Sequence, residues 1–422
     1  MGVFKFRKNI KFHNWLLKWH FISGIIMLPF VLLLAITGFI YLFKDTYENP
    51  HQTKMQQVKV ENKRLSYDEL WEIANKATAN KPHSIIINNE EEKAVEFISG
   101  KFGKTSHLYI NPYNGNINGQ IIDDKTLMNN VRKLHGELLL GSWGTKIVEL
   151  VGSWLVVMLI SGIYLWWPVR KWKLKGNFLP RLNQGISVLF RDFHAVSGFW
   201  IAIILLMILA GGLPWTDVFG ENFKKIQSIT NTGYPETWDG KGIHSIVQEN
   251  HLSIDKMVQI VKEKYPLPGI VSLKIPENAT GIYSLSNTYP KNLNTQKAIH
   301  FDRYSGNVIL KHDWADVGIL MRARMWFMAF HQGQLGKWNF FLIAFTACVL
   351  IIMCISAMGM YFKRRNKFKI KIDASYKPKP FIVFLITVLG IILPLFGLSI
   401  LIILALEKIK LSKLYATLSK TE

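Results

Sequence analysis

A chain of 422 residues could hold two or three soluble domains, but 49% apolar residues arranged in long unbroken runs describe an integral membrane protein instead. The formal net charge of +22 would suit a nucleic-acid binder, yet the lysines and arginines gather beside the ends of the apolar runs, so no nucleic acid is expected as a partner. The only two cysteines, Cys348 and Cys354, lie inside one such run, so no disulfide framework supports the polar regions.

The chain opens with a basic segment, 1–15, holding Lys5, Arg7, Lys8 and Lys11, before a first apolar run at 16–43. Basic residues ahead of apolar ones resemble a signal peptide, but the run is too long and lacks a small-x-small cleavage site, so it reads as an uncleaved anchor. Further basic loops follow the second crossing, 135–168, and the fourth, 331–362: at 169–192 with Arg170, Lys171, Lys173, Lys175 and Arg181, and at 363–380 with Lys363 to Lys371. Basic loops stay on the cytoplasmic side, which places the N-terminus inside and the regions 44–134 and 216–330 outside. The third crossing is 193–215. A fifth run, 381–406, fits this rule less well, because Lys408, Lys410 and Lys413 in the tail 407–422 would then be outside.

The first outside region carries the pattern of a small α+β module. Ser66 followed by Glu69 forms a capping box, with apolar positions at Leu70, Ile73, Ala74 and Ala77 giving the helix one buried face. Strands are expected at 84–87 and 94–99, and a hairpin turns at Asn114-Gly115 within 108–117. The second outside region repeats these signals: a capped helix start at Ser253, strands at 269–275 and 281–286, and a hairpin over 298–309 with Tyr304-x-Gly306. The whole reads as a duplicated unit of helix, module and helix, followed by a fifth helix. The expected architecture is an α-helical membrane protein with a four-helix bundle and two outside modules.

Four histidines stand at helix ends in this pattern. His20 and His194 open the first and third crossings; His20 to Gly38 and His194 to Gly212 are the same eighteen residues apart. His135 and His331 stand at the start of the second and fourth crossings. Parity sorts the four into a cytoplasmic pair, His20/His194, and an outer pair, His135/His331. An ionisable side chain at membrane depth is costly and usually functional. Two neutral imidazoles from facing helices are what a six-coordinate haem iron needs, so the expected cofactor is haem b, two per chain. Gly24 and Gly198, each four residues after a histidine on the same helix face, leave room for a flat macrocycle.

Zinc is the competing metal, but its usual sites need a third or fourth protein ligand, and only Glu137 and Asp192 are near. Arg132, Lys133, Arg322 and Arg324 at the outer pair, and Lys18 and Arg191 at the inner pair, could neutralise propionates. The remaining histidines of the outside regions read as ordinary module residues, and the tryptophans at helix ends as an aromatic belt. At about 1.5 Å rise per residue a twenty-residue crossing spans roughly 30 Å, so two haems set inward of each face would carry an electron across the bilayer.

The motifs Trp19-His20-x3-Gly24, Leu134-His135-Gly136-Glu137, Gly162-Ile163-Tyr164-Leu165-Trp166-Trp167-Pro168, Phe193-His194-x3-Gly198 and His331-Gln332-Gly333, with the turns Tyr113-Asn114-Gly115 and Tyr304-Ser305-Gly306, resemble those of the PepSY-associated transmembrane proteins, also called iron-regulated membrane proteins. The resemblance covers nearly the whole chain and departs at Met360-Tyr361-Phe362-Lys363, where the first repeat has Trp-Trp-Pro. It implies a bacterial inner-membrane di-haem protein that reduces a ferric siderophore or other ferric chelate in the periplasm for iron uptake, with the four histidines as ligands. No Gly-x-Gly-x-x-Gly follows a strand, so the electron donor is another molecule, such as membrane quinol or a cytoplasmic reductase. The alternative is a membrane-anchored PepSY module that binds a partner without redox activity. The helix-end histidines favour the oxidoreductase, because an anchor has no use for them. A transporter is the third reading, weakened by the parallel sense of the repeat and the lack of mid-membrane charges.

Overall fold

The structure is a computed structural model that describes residues 10–101, 103–168, 172–364 and 377–418. The basic residues Lys5, Arg7, Lys8, Arg170, Lys171, Arg365, Lys367, Lys369 and Lys371 lie outside the described residues. In chain order the first half comprises α1 (Ile10–Leu42), α2 (Lys44–Gln56), α3 (Tyr67–Ala77), β1 (Pro82–Ile87), β2 (Val95–Ser99), β3 (Ser106–Ile110), β4 (Ile117–Ile122), α4 (Leu127–Glu137) and α5 (Ser142–Trp166). The second half comprises α6 (Ile186–Gly212), α7 (Val218–Ile229), α8 (Ile254–Lys264), β5 (Ile270–Lys274), β6 (Tyr283–Thr288), β7 (Lys297–Phe301), β8 (Val308–Asp313), α9 (Ile319–His331) and α10 (Lys337–Arg364). Two further helices, α11 (Pro380–Ile392) and α12 (Pro394–Leu418), follow among the described residues.

Among the described residues four helices, α1, α5, α6 and α10, are long and apolar enough to cross a membrane, and the protein is a multi-pass membrane protein. They touch in the cyclic order α1, α5, α6, α10 and back to α1. On α1 the buried positions Ser23, Met27, Val31 and Ala35 recur every four residues, the stripe that one helix turns toward its neighbours. Small residues at the contacts, such as Gly152 and Ser153 on α5, let backbones approach closely where apolar burial alone gives no driving force.

The crossings at 135–168 and 331–362 are each shorter than the apolar pattern suggests. His135 sits in the last turn of α4 and His331 is the last residue of α9; the long helices begin only at Ser142 and Lys337. The first break falls where Leu138 and Leu139 adopt positive φ of 49° and 58° and Gly141 one of 57°. The second falls at Gly333 and Gly336, with φ of 70° and 114°. A run of leucines hides a helix end in any hydropathy reading, because hydropathy carries no information on φ. The third long helix begins at Ile186 rather than 193. The fifth run, 381–406, is not one span: α11 and α12 are broken at Leu393–Pro394, since proline disfavours helical geometry in the residue before it. The break brings Gly390 and Gly397 so close that a Cβ on Gly390 would lie 3.1 Å from the Gly397 Cα. From there α12 packs on α5, with Trp154 Nε1 donating to Ser399 Oγ at 3.1 Å.

The two polar regions are not separate modules. Their strands form one eight-stranded sheet in the order β4-β3-β2-β1-β5-β6-β7-β8, joined by the antiparallel pair β1–β5 with Ile85 opposite Leu273. One continuous core, including Leu70, Ile85, Phe97, Met257, Leu273, Leu285 and Phe301, lies beneath α3 and α8. The two helix starts cap each other. Asp255 accepts from the amides of Tyr67 and Asp68 at 2.9 and 3.3 Å; Asp68 accepts from those of Ile254 and Asp255 at 3.0 and 3.2 Å. The Ser66–Glu69 capping box forms within α3.

Candidate functional site

The bundle carries two histidine pairs, one at the end that bears the sheet and one at the opposite end. At the opposite end His20 on α1 faces His194 on α6, ring centroids 6.3 Å apart and planes at 77°. At the sheet end His135 on α4 faces His331 on α9, at 6.1 Å and 79°. Since α1 and α6 sit across the ring of four helices from each other, His20 and His194 point into its interior from opposite walls.

Each of the four rings makes a hydrogen bond through Nδ1. His20 Nδ1 meets Ser161 Oγ at 2.9 Å and His135 Nδ1 meets Thr37 Oγ1 at 3.1 Å. His194 Nδ1 meets the Met353 carbonyl at 3.4 Å, and His331 Nδ1 the Ile208 carbonyl at 2.7 Å. A carbonyl can only accept. Ser161 Oγ–H already donates to Met158 O at 3.1 Å and Thr37 Oγ1–H to Leu33 O at 2.8 Å, so both hydroxyls also accept from the ring. The proton therefore sits on Nδ1 in all four rings, and Nε2 keeps the lone pair that coordinates a metal.

Glycines close against three of the rings. A Cβ on Gly38 would come within 2.9 Å of His135 Cε1, on Gly162 within 3.3 Å of His20 Cε1, and on Gly212 within 3.2 Å of His331 Cε1. At Gly24 and Gly198 a Cβ would meet only the flexible tips of Met158 and Met353, at 3.5 and 3.4 Å. Of the residues touching the rings, Ser161 and Thr37 were not singled out by sequence reasoning. Gly162 stood out only as the head of a glycine-aromatic motif, and the eighteen-residue spacing pointed to Gly38 and Gly212.

The charged candidates separate into engaged and available groups. Asp192 is fully buried and accepts from Arg181 Nε at 2.7 Å and Arg191 Nη1 at 2.7 Å, tying the loop before α6 to the helix. It is therefore neither a metal ligand nor next to a free Arg191. Lys133 is paired with Asp124, and Arg132 Nε donates to Asn129 Oδ1 at 3.0 Å with Glu137 3.7 Å from its Nη1. Arg324, seven residues before His331, is 7% exposed, donates to Pro214 O at 2.9 Å and stacks at 4.3 Å on Trp215, while its Nε has no partner. Glu149, a fully buried carboxylate in α5 that the sequence reading passed over, caps α7 by accepting from the amides of Val218 and Phe219 at 2.9 and 3.0 Å.

A third histidine pair shows what the ring separation alone does not decide. His300 and His312, expected to be ordinary module residues, are buried in the sheet with centroids 6.2 Å apart. His300 Nδ1 meets Ser284 Oγ at 2.9 Å, but His312 Nε2 meets Thr237 Oγ1 at 2.8 Å and its Nδ1 faces Asp316 at 3.8 Å. With Nε2 of His312 taken up by Thr237, this pair lacks the arrangement of Nδ1 bonds that both bundle pairs share. Burial, and then the neighbouring His312, hold His300 below the ordinary histidine range.

Among the described residues no three or more His, Cys, Asp or Glu side chains gather to hold a metal ion. No curated protein matches the chain. A family model described as PepSY-associated TM region matches residues 17–370, most of the chain and both histidine pairs, and the protein belongs to that family.

Proposed function

We propose that the protein is an inner-membrane di-haem b oxidoreductase that passes electrons across the bilayer and reduces a ferric siderophore or other ferric chelate on the side of the sheet, the periplasm. The observation that carries this reading is the pair of facing imidazoles at each end of the bundle. A metal–imidazole bond of about 2 Å on each side, with half a ring added to each, separates ring centres by about 6 Å, the spacing of both pairs. Two protein ligands suit an iron whose other four positions are filled by a porphyrin, and suit zinc poorly. Haem, when bound, supplies one-electron chemistry that no side chain of this chain offers.

His20 with His194 and His135 with His331 would hold the two irons; Gly38, Gly162 and Gly212 keep the space beside the rings clear. Arg324, with its buried unpartnered Nε, would hold a carboxylate of the macrocycle at the sheet end. From His20 to Gly38, which touches His135, is eighteen residues, about 27 Å of helix. The apolar packing of Met27, Val31, Trp154, Leu205 and Leu350 between the two levels excludes water from that path. The donor is a reduced molecule reaching the His20 end, a membrane quinol or a cytoplasmic reductase.

The test is vectorial. Proteoliposomes with a quinol in the bilayer and a ferric chelate plus a ferrous indicator on the sheet side should form ferrous iron with the wild-type chain. His20→Ala and His135→Ala should each abolish it, because either break interrupts the path. Equal ferrous iron from both variants and wild type would sink the proposal.

A further inference from the structure

The two halves of the bundle hold their sheet-end histidines differently. In the second half His331 Nδ1 donates straight to the Ile208 carbonyl at 2.7 Å. The matching carbonyl in the first half, 174 residues earlier, belongs to Leu34; the His135 ring reaches it too, but there Nδ1 also meets Thr37 Oγ1 at 3.1 Å. Thr37 in turn directs its hydroxyl proton to Leu33 O at 2.8 Å, with Leu34 O at 3.3 Å. A hydroxyl acceptor has thus been added beside the helix carbonyl in one half only.

The residue matching Thr37 in the second half is Gly211. There a Cβ would lie 2.3 Å from the Phe327 carbonyl and 2.8 Å from His331 Cβ, so only glycine lets α9 close on α6 this far, and no side-chain acceptor stands beside the His331 ring from that position. Thr37 is 4% exposed, and valine would occupy the same volume without the hydroxyl.

We propose that Thr37 is a positioning residue for His135: its hydroxyl receives Nδ1–H, aims Nε2 at His331, and makes the two rings of the sheet-end pair unequal ligands. The proposal rests on the haem reading above. A hydrogen bond from the non-coordinating nitrogen orients a ligating imidazole and raises its basicity. Loss of the hydroxyl leaves the ring the Leu34 carbonyl alone, weakens that one ligand, stabilises the ferric state less, and moves the midpoint potential of that one centre upward.

The experiment compares the full-length wild type with Thr37→Val and Thr37→Ser, each purified with haem and quantified by pyridine haemochrome. Redox titration and low-temperature electron paramagnetic resonance then follow the two centres separately. The valine variant should show one centre at a more positive potential with shifted g-values and the other centre unmoved; the serine variant should return both to wild type. A valine variant with both centres unchanged overturns the proposal, as does a serine variant that behaves like valine, which would assign the effect to packing. If valine costs the chain one haem, restoration by serine supports the hydroxyl and failure to restore overturns it. A wild-type chain that binds no haem overturns the haem reading and the proposal together, whereas a loaded wild type with an unmoved valine variant overturns the proposal alone.

Discussion

At the scale of single residues, a histidine becomes a candidate ligand through what surrounds its ring. His20, His135, His194 and His331 each give Nδ1 to an acceptor on a neighbouring helix, and three of the four lie against a glycine that admits no Cβ without crowding the ring. The histidines themselves were legible, because the alternation of crossings sorts helix-end residues into two faces, and the structure sets opposite each other the rings that this parity groups together. Ser161 and Thr37 were not legible: a serine or threonine in an apolar helix ordinarily bonds back to its own helix, and which of them also meets a ring depends on how two helices approach. Gly38 tests the tightness of the site. Gly38→Val should push His135 out of line and lower haem content from two to one per chain, leaving the His20/His194 centre intact. A Gly38→Val chain with two haems and an unaltered spectrum would show that the close contact has no role.

At the scale of elements, local signals placed the capped helices and the hairpins, since caps and Asn-Gly turns act within a few residues. The union of the two modules into one sheet had no such signal. Pairing of β1 with β5 joins strands nearly two hundred residues apart, and a strand's sequence does not name the edge it meets. The mutual capping by Asp68 and Asp255 follows from that union. It makes a specific prediction: Asp255→Ala should cost about 1 kcal/mol at the junction and speed amide exchange at Tyr67 and Asp68. Unchanged exchange at those two amides would refute the capping role. Burial raises Asp255 above the ordinary carboxylate range, the Tyr67 amide opposes this, and the Asp68 carboxyl adds to it. Folding therefore favours the protonated form; that contribution is complete below the ordinary aspartate value and is lost as pH rises through the folded-state value. In the wild type, amide protection at the start of α3 and α8 should accordingly increase on mild acidification, and Asp68→Ala, which removes the second carboxyl, should flatten that dependence.

At the scale of the whole molecule, duplication supplies both the membrane path and the sheet above it. Each half contributes one wall of the bundle, one histidine to each pair and four strands, so neither half can assemble a complete pair alone. Hydropathy revealed the four crossings but overran their ends at Leu138–Gly141 and Gln332–Gly336 and fused α11 with α12. The same overrun put His135 and His331 at the start of long helices, whereas they close short ones, and the short helices are what carry these rings inward over the bundle. The account stands on the claim that both pairs hold haem. The measurement that tests it most directly is the visible absorption spectrum of the purified chain, oxidised and dithionite-reduced, with pyridine haemochrome quantitation for the wild type and for alanine substitutions of the four histidines. The account predicts sharp reduced bands of six-coordinate b-type haem at two per chain, one centre lost with His20 or His194 and the other with His135 or His331. A colourless chain from cells supplied with ample haem, or a haem content indifferent to all four substitutions, would contradict it.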